Sequence, residues 1–487
     1  MTPIERYELA PGLNISRVVT GLWQIADMER DGSRVDAAKA AEHMAQYVDA
    51  GFTTFDMADH YGSAEDIAGE YGKRHGSNKA QFLTKWVPKP GPITRDDVRS
   101  AVQRSLDRLR IERIDLMQFH AWNYADPVWL DCLFWLQELK EQGLIHHIGL
   151  TNFDSAHLRI VIYSGIEVAS NQVCFSLLDQ RAAGAMTDLC LQHGVKLLAF
   201  GTLAGGFLTE RWLDKPEPKH EDSATWSQMK YGRFITAAGG WDLLQSVLHV
   251  INNVAKKTNT TMANVASRYI LEEQAVGGII IGARLGRSEH IQENSRLFTS
   301  PLDDESRTAI RVSLARLSPI PGDCGDEYRK PPFLTASGDL SHHLETMPVP
   351  YVAQAAQSGR TRVLSGTEWE KIGGFCRAMR SGNQITISGT TATHGSRAIG
   401  GSDVAAQTHF IIDKIEGTLQ SLGSKLEDVV RTRVYVSNIA NWEAAARVHG
   451  ERFRDILPAN TLVQAELVGK EYLVEIEADA VVSNKTL

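Results

Sequence analysis

Strand patterns and helix patterns alternate regularly between residues 17 and 300. Short runs rich in β-branched residues are each followed by a stretch with helical spacing, and eight such units are predicted. Eight units in a segment of this length favour a closed (β/α)8 barrel of the TIM type over an open sheet. The predicted strands span residues 17–24, 53–58, 81–87, 114–121, 146–152, 168–176, 195–203 and 278–283.

The remainder of the 487-residue chain is predicted to form a second domain, because a single hydrophobic core does not extend over so many residues. After residue 360 the pattern becomes strand, strand, long helix, strand, helix, strand and strand, which is typical of a small α+β unit. A proline-rich stretch with little periodicity precedes it and predicts a linker. The predicted boundaries are 1–318 for the barrel, 319–358 for the linker and 359–487 for the second domain.

Two segments between the predicted elements have features of their own. The stretch 205–241 is long and polar, and loops of this length often cover a functional site, with a plain insertion as the alternative. The pair His342-His343 lies in the linker, and adjacent side chains point apart in most conformations. That pair is therefore predicted to be a surface feature and not a metal site.

The composition argues against several classes of function. The net charge of −8 and the isoelectric point near 6.1 argue against nucleic acids and anionic membranes as main partners. No apolar run approaches the roughly 18 residues of a membrane span, and the first residues lack the apolar stretch of a signal peptide. The five cysteines are scattered without a Cys-x-x-Cys pair, which predicts reduced thiols, no metal site and a cytoplasmic protein.

Four reactive side chains fall at or just after the C-terminal ends of three predicted strands: Asp56, Tyr61, Lys85 and His120. In a (β/α)8 barrel these strand ends converge on one mouth, where catalytic residues collect. A free phenol, with a pKa of about 10, is a weak acid at neutral pH, and a neighbouring ammonium lowers that pKa. An acid, a phenol, an ammonium and an imidazole together therefore predict a proton donor that works near neutral pH.

The sequence around these four residues resembles that of the aldo-keto reductases over about residues 10–318. The matching motifs, in chain order, are Phe55-Asp56-x-Ala58-x-x-Tyr61-Gly62, Lys85, His120, Gly149-Leu150-Thr151-Asn152-Phe153, Asn171-Gln172-Val173 and Ala199-Phe200-Gly201-Thr202-Leu203. The resemblance implies that Tyr61 donates a proton to the substrate oxygen and that Lys85 lowers the pKa of that phenol. It further implies that Asp56 holds Lys85 and that His120 orients the substrate.

The same resemblance implies the cofactor site. Thr151, Asn152 and Gln172 would hold the nicotinamide carboxamide, and Leu203 would also contact the cofactor. Phe200 would stack on the nicotinamide ring where the family often has Tyr, and Gly201 stands where Ser is common.

The last predicted strand leads into Gly282-Ala283-Arg284-Leu285-Gly286-Arg287-Ser288-Glu289-His290, followed by Glu293 and Asn294. This segment resembles the family's adenosine-phosphate loop, and its backbone N–H groups and arginines suit a 2′-phosphate. The expected cofactor is therefore NADP(H), bound in part by Gly282, Arg284, Arg287, Glu293 and Asn294. Which arginine contacts the phosphate stays open, and exposed solubilising arginines are the alternative.

Three tryptophans near the mouth, Trp23, Trp86 and Trp122, are expected to form a pocket for a flat or apolar substrate. The alternative is that one or two of them serve only in packing. At least one is predicted to line the pocket.

The second domain resembles the Rid (YjgF-like) family, whose fold is chorismate-mutase-like. The matching motifs are Ile387-Ser388-Gly389, Asp428-Val429-Val430-Arg431-Thr432, Pro458-Ala459-x-Thr461 and Val474-Glu475-Ile476-Glu477-Ala478. That family forms trimers with a ligand site at each subunit interface, and its best-known members hydrolyse enamines and imines.

This chain departs from the Rid pattern at its pocket. Asn460 stands where the family has the arginine that grips a carboxylate, and Phe375 replaces a tyrosine. Ser388 and Glu475 remain. The domain is therefore expected to serve assembly, ligand binding or an atypical imine hydrolysis, and not deamination of amino-acid-derived imines.

Together these features predict an NADPH-dependent carbonyl reductase, or an alcohol dehydrogenase in reverse, that acts on a small molecule and is a homotrimer through its second domain. Two alternatives stay open. One is a bifunctional reductase and imine hydrolase, and the other is a cofactor-sensing binding subunit without catalysis.

Overall fold

The computed structural model describes residues 3–29, 31–219, 225–287, 290–299, 301–335 and 338–483. It begins with an antiparallel hairpin of β1, Arg6–Ala10, and β2, Leu13–Ser16, which the sequence patterns did not predict. Leu9, Leu13 and Ile15 of the hairpin pack on apolar side chains inside the barrel. The hairpin therefore covers the end of the barrel opposite the mouth.

Eight parallel strands close into a barrel, in which each strand pairs with the next in sequence and the last with the first. The (β/α)8 prediction is thereby confirmed. The barrel strands are β3 (Val18–Gly21), β4 (Thr54–Asp56), β5 (Gln81–Trp86), β6 (Ile114–Phe119), β7 (Ile145–Thr151), β8 (Ser170–Cys174), β9 (Lys196–Phe200) and β10 (Val276–Gly282).

Helices surround the barrel, and most of them bury an apolar face. Side-chain caps define several of their starts, such as Thr94, whose hydroxyl accepts from the backbone of Asp97 while that carboxylate caps Thr94 in return. The helices of this half are α1 (Trp23–Met28), α2 (Ala37–Asp49), α3 (Ala64–Tyr71), α4 (Arg95–Leu109), α5 (Val128–Glu141), α6 (Ser155–Tyr163), α7 (Ala185–His193), α8 (Trp226–Ala237), α9 (Trp241–Lys257), α10 (Met262–Leu271), α11 (Ile291–Ser295) and α12 (Asp304–Leu314). Ser288 and Glu289 of the predicted adenosine-phosphate loop lie outside the described residues.

The second domain is an antiparallel sheet with one parallel pair at its edge, covered on one face by two helices, so the α+β prediction is also confirmed. The sheet order is β11-β12-β13-β14-β19-β17-β18, and β15 with β16 forms a separate small hairpin. The strands are β11 (Ala353–Ala355), β12 (Thr361–Val363), β13 (Ala378–Ser381), β14 (Gln384–Thr391), β15 (Thr393–His394), β16 (Arg397–Ala398), β17 (Val429–Val436), β18 (Ala459–Gln464) and β19 (Val474–Val481).

The helices of the connecting segment and the second domain complete the fold. They are α13 (Asp326–Arg329), α14 (Glu368–Gly373), α15 (Val404–Ser421) and α16 (Trp442–Arg452). The long helix α15 is buried along most of its length, because it packs on the sheet on one side and on barrel helix α6 on the other. The two domains therefore share a packed junction.

The connecting segment between the domains lies against the barrel mouth. Arg329 of α13 is buried and donates hydrogen bonds to the carbonyl oxygens of Ala121 at 3.0 Å and Asn152 at 2.5 Å. His343 packs on the ring of Trp122, with 4.4 Å between the ring centroids, whereas His342 is exposed. The proline-rich stretch is thus part of the wall around the mouth.

Within the described ranges, no single helix is both long and apolar enough to cross a membrane. The helices Trp226–Ala237 and Trp241–Lys257 meet that requirement only as a pair, and they are bent by 101° where they join.

Candidate active site

The ion pair between Asp56 and Lys85 lies at the floor of the barrel mouth. Asp56 ends β4 and Lys85 lies near the end of β5, so both buried side chains point into the barrel at the same level. The Lys85 ammonium donates to Asp56 Oδ2 at 2.6 Å and to the Met57 carbonyl oxygen at 2.9 Å. It also lies 4.7 Å from the ring centroid of Tyr61, in the loop after β4. Three of the four predicted residues therefore form one contiguous group.

Two glutamines hold the other oxygen of Asp56. Gln118 Nε2 donates to Asp56 Oδ1 at 3.0 Å, and Gln172 Nε2 donates to the same atom at 2.7 Å. Gln118 was not predicted as a site residue, although the sequence carried a signal. It is a polar residue in an apolar strand, two positions before His120, and residues two apart in a strand share a face.

Burial and charge act in opposite directions on the phenol and the ammonium. Burial raises the pKa of Tyr61, and the nearby Lys85 ammonium opposes that rise without cancelling it. Burial alone would lower the pKa of Lys85, but the Asp56 carboxylate and Tyr61 raise it, and the net direction is upward. Tyr61 is therefore a neutral phenol beside a firmly charged ammonium.

His120 is a neutral imidazole with one nitrogen left for a ligand. Its Nδ1 lies 3.2 Å from the Thr151 carbonyl oxygen, which only accepts, so the hydrogen is assigned to Nδ1. Burial, with the nearby Arg329 guanidinium, holds the pKa of His120 well below its usual value. Nε2 is buried and has no hydrogen-bond partner among the described residues. It therefore presents a lone pair to whatever occupies the mouth.

A cavity of about 1080 Å³ opens above this group and is lined by most of the residues expected to bind the cofactor. Thr151, Asn152, Gln172, Phe200 and Leu203 line one side. This volume is sufficient for a dinucleotide together with a small substrate.

At the predicted carboxamide site, one buried side-chain amide oxygen lacks a hydrogen-bond partner, so it can accept a hydrogen bond from a ligand amide. Asn152 adopts a positive φ of 59°, and its backbone N–H donates to the Gln172 carbonyl oxygen at 2.8 Å. Its side-chain Oδ1 is buried without a partner in the described part of the chain. A buried acceptor left unpaired is costly, so this atom fits the nicotinamide carboxamide.

Gly201 departs from the family's common serine for a steric reason. Its φ is +77°, and a Cβ at this position would collide with the Tyr231 hydroxyl. The Tyr231 ring of α8 thus fills the space that a serine side chain would occupy. A glycine has no side chain, so position 201 cannot supply the hydrogen bond that a serine could make to the cofactor.

The predicted adenosine-phosphate loop is only partly at the cavity. Gly282, Arg284, Glu293 and Asn294 line it, whereas Arg287 is exposed and lies outside the lining. The Arg284 guanidinium donates to Asp27 Oδ2 at 3.0 Å, so this cation is already paired with a carboxylate across the cavity.

The three tryptophans divide into two that line the cavity and one that does not. Trp23 packs edge-on against Tyr61, with 5.0 Å between the ring centroids, and Trp122 packs edge-on against His120 at 4.4 Å. Trp86 is buried against Phe119 on the outer face of the barrel strands, with 5.5 Å between the ring centroids. Trp86 follows Lys85 directly, and adjacent strand residues point to opposite faces.

Further cavity residues come from segments outside the barrel strands. Lys230 lies in α8, within the stretch 205–241 that the sequence analysis expected to cover a functional site, whereas Tyr328 and His343 lie in the connecting segment, which it did not connect with the site. A proline-rich stretch without periodicity gives no indication of which face it contacts, so the sequence carried no signal for the last two.

In the second domain the structure brings three of the four predicted pocket residues together. Ser388 donates to the Cys376 carbonyl oxygen at 2.8 Å, next to Phe375. The Glu475 carboxylate lies so close to Gly389 that a Cβ there would collide with it. Burial and the Glu477 carboxylate raise the pKa of Glu475.

Asn460 lies apart from that group within one chain. It is on β18, which is separated from the Glu475 strand by β17, and its amide donates to Thr432 Oγ1 at 2.9 Å. The amide is therefore held by Thr432 of the same chain.

Known proteins resemble both halves of the chain. The family profile described as "Aldo/keto reductase family" matches residues 17–314, and that described as "Endoribonuclease L-PSP" matches residues 350–482. The chloroplastic pyridoxal reductase of Arabidopsis thaliana is 26% identical over 291 residues, which make up 55% of this chain and 76% of the relative.

Two solved structures correspond to the two halves. The glycerol dehydrogenase of Gluconobacter oxydans is 23% identical with a TM-score of 0.53, over 66% of this chain and 97% of that protein, and shares the barrel fold. A member of the YjgF/YER057c/UK114 family from Mycobacterium tuberculosis is 42% identical with a TM-score of 0.24, over 25% of this chain and 99% of that protein.

Proposed function

The chain belongs to the aldo/keto reductase family and carries a C-terminal YjgF-type domain, and we propose that it is an NADPH-dependent carbonyl reductase. The reverse reaction is the oxidation of an alcohol. The observation that carries the proposal is the contact of Lys85 with both Asp56 and Tyr61 at the floor of the cavity, beside His120.

The residues at the floor divide the proton chemistry among them. Bound NADPH would supply the hydride for the carbonyl carbon. Tyr61, a neutral phenol, donates its proton to the carbonyl oxygen, and the adjacent Lys85 ammonium stabilises the phenolate that remains. Asp56 keeps Lys85 charged and in place through the 2.6 Å hydrogen bond.

His120 acts on the alcohol side of the reaction. Because its hydrogen is on Nδ1, Nε2 can accept a hydrogen bond from a hydroxyl but cannot donate one to a carbonyl oxygen. The imidazole therefore orients the product alcohol, or the alcohol substrate of the reverse reaction. Trp23 and Trp122 supply apolar surface next to Tyr61 and His120.

NADP(H) is the proposed cofactor because two arginines lie in the loop after β10. Arg284 faces the cavity but shares its charge with Asp27, while Arg287 is exposed and closer to solvent. Arg287 is thus the cation with more freedom to meet a 2′-phosphate.

The second domain is proposed to assemble the protein into a trimer. Its edge strand β18 is exposed along most of its length, including Val463, and Trp442 at the start of α16 is 51% exposed. Apolar side chains on an unpaired edge strand are usually covered by a partner. A cytoplasmic location stays a prediction.

A cofactor-consumption assay tests the proposed function. The full-length protein is mixed with NADPH and a panel of aldehydes and ketones, and NADPH loss is followed by absorbance. We expect turnover that disappears in Tyr61→Phe. Tight NADPH binding without turnover of any carbonyl compound would instead favour the cofactor-sensing subunit.

A further inference from the structure

A second phenol–ammonium pair faces the same cavity as Tyr61 and Lys85. The Lys230 ammonium of α8 donates a hydrogen bond to the Tyr328 hydroxyl oxygen of α13 at 2.8 Å. Both residues line the cavity, although neither belongs to a barrel strand end. The proposed chemistry leaves this pair without a role.

One member of the pair lies near the catalytic group, and the other lies near the ring expected to carry the nicotinamide. The Tyr328 ring centroid is 6.0 Å from that of His120, and the Lys230 ammonium is 4.9 Å from the Phe200 ring centroid. A carbonyl group held at Tyr61 would therefore place one of its substituents against Lys230 and Tyr328.

Both groups retain hydrogens for a ligand. Because Lys230 is the donor in their hydrogen bond, the Tyr328 oxygen accepts and its own hydrogen stays available. An ammonium has three hydrogens, and the contact with Tyr328 uses one of them. The pair can therefore present two donors to a single carboxylate.

Among the described residues, no carboxylate lies within hydrogen-bond distance of the Lys230 ammonium. Lys230 is buried, and the Glu327 carboxylate is 3.8 Å from its ammonium. Glu327 is closer to Arg181, at 2.8 Å, and Asp179 also pairs with Arg181, at 2.7 Å, so the two cations and the two carboxylates balance in charge. The Lys230 ammonium still has hydrogens without a carboxylate acceptor, and a bound anion can accept them.

The carboxylates that line the cavity are all engaged by other groups of the described chain. Asp56 is bonded to Lys85, Asp27 to Arg284, Glu293 to His290, and Glu29 to Ser63. In addition, the buried Arg329 guanidinium lies near His120 and helps to lower the pKa of that imidazole. Two buried cations, Lys230 and Arg329, thus lie at the Tyr328 end of the cavity, and the Glu327 carboxylate is near both of them.

We propose that Lys230 and Tyr328 form a binding site for a carboxylate on the carbonyl substrate, so that the preferred substrates are aldehydes or ketones that carry an acidic group. The inference rests on the proposed function, because it names the substrate class of the same site. The hydroxyl of Tyr328 and the ammonium of Lys230 each donate to the carboxylate, while Tyr61 serves the carbonyl oxygen.

A matched pair of substrates tests the proposal with the full-length protein. The probes are 4-formylbenzoate and its neutral methyl ester, assayed with NADPH. We expect a higher kcat/KM for the acid, and we expect Lys230→Met to reduce the acid-to-ester ratio by about 10- to 100-fold, the loss of a charged hydrogen bond. Lys230→Arg should restore part of the ratio, and Tyr328→Phe should lower it by less.

Lys89 provides the control, since it also lines the cavity but is exposed at the rim. Lys89→Met should change the ratio by less than about fivefold, as for an exposed charge. A wild-type preference for the ester, or an unchanged ratio in Lys230→Met, would overturn the carboxylate site while reduction of the ester still supported the reductase.

A binding measurement separates the two proposals if neither aldehyde is reduced. Calorimetric titration with 4-methylbenzoate and its methyl ester needs no turnover. If the acid binds more tightly than the ester, and Lys230→Met removes this difference, the carboxylate site is supported even if the reductase proposal fails. Equal binding of acid and ester would refute the site.

Discussion

His157 of the barrel lies with its Nε2 atom 3.0 Å from Asp413 Oδ2 of the second domain. The other ring nitrogen, Nδ1, is 2.6 Å from Asp154 Oδ1, so the imidazole is clamped between two buried carboxylates. Asp154 caps α6 and follows the turn that holds Thr151 and Asn152. A charged bridge therefore joins the second domain to the turn expected to hold the nicotinamide.

Removal of this bridge should destabilise the whole protein. Burial alone would lower the pKa of His157, but Asp154 and Asp413 raise it, and the net direction is upward, so both nitrogens donate. His157→Ala leaves two buried carboxylates without that cation, which should cost about 3–5 kcal/mol of unfolding free energy. Denaturant unfolding measures the loss. His249→Ala, at an exposed pair with Asp214, is the control, and an equal effect of both variants would contradict the bridge.

The bridge also predicts a pH dependence with a defined sign. A group whose pKa is raised in the folded state contributes stability that is fully present below its unfolded pKa, about 6.5 for histidine, and loses it as pH rises through the folded value. The wild type should therefore lose more stability than His157→Gln above about pH 6.5. Thermal unfolding at a series of pH values checks this, and parallel profiles would argue against a charged His157.

Tyr61→Phe should reduce carbonyl reduction by about 10²–10⁴-fold, because a positioned proton donor is worth that much. NADPH binding should change little, since the phenol lies at the proton-transfer end. Tyr71→Phe is the control, because Tyr71, the last residue of α3, is buried in the core and stacks on His75. Steady-state kinetics and fluorescence titration of NADPH give the two readouts, and activity within tenfold of wild type would rule out Tyr61 as the donor.

Arg284→Ala combined with Arg287→Ala should weaken the binding of NADPH more than that of NADH, because only NADPH carries the 2′-phosphate. The single variants separate the two side chains, and Arg287→Ala should have the larger effect on this preference, because Arg284 is paired with Asp27. Arg296→Ala, an exposed arginine nearby, is the control. Equal losses of affinity for NADPH and NADH would show that neither arginine contacts the 2′-phosphate.

Val463→Glu should convert the expected trimer into smaller species. Val463 is 42% exposed on the edge strand β18, where a buried charge at a subunit interface would be unfavourable. Val312→Glu, at a 63% exposed position on α12 of the barrel, is the matched control. Light scattering of the full-length proteins gives the mass, and a monomeric wild type would remove the assembly role.

Local patterns were sufficient to predict the barrel and the positions of Asp56, Lys85 and His120 at its mouth. Strand period and strand order place these residues at one end of the barrel without any knowledge of packing. The same alternation could have excluded Trp86, which follows the inward-pointing Lys85.

The contacts of the connecting segment could not be predicted in this way. Tyr328 and Arg329 reach the mouth only because the chain between the domains folds back over it, and an aperiodic segment has no register to indicate that. The His157–Asp413 bridge likewise joins residues 256 positions apart on separate domains. Such pairings depend on how two finished domains pack, and no local pattern records that.

The altered pocket of the second domain should hydrolyse 2-aminoacrylate poorly or not at all. Asn460 has no charge to grip the carboxylate, and its amide is already engaged by Thr432 at 2.9 Å.

If the domain acts on a neutral imine, Glu475 is the residue expected to activate water, because its raised pKa brings it nearer to neutral pH. Glu475→Gln should then abolish that hydrolysis, while Glu477→Gln, two positions along β19 and paired with Arg433, should retain it. Release of the carbonyl product measures both reactions. Efficient hydrolysis of 2-aminoacrylate by the wild type would show that the missing arginine is dispensable, and equal rates in the two variants would assign the domain to assembly or binding.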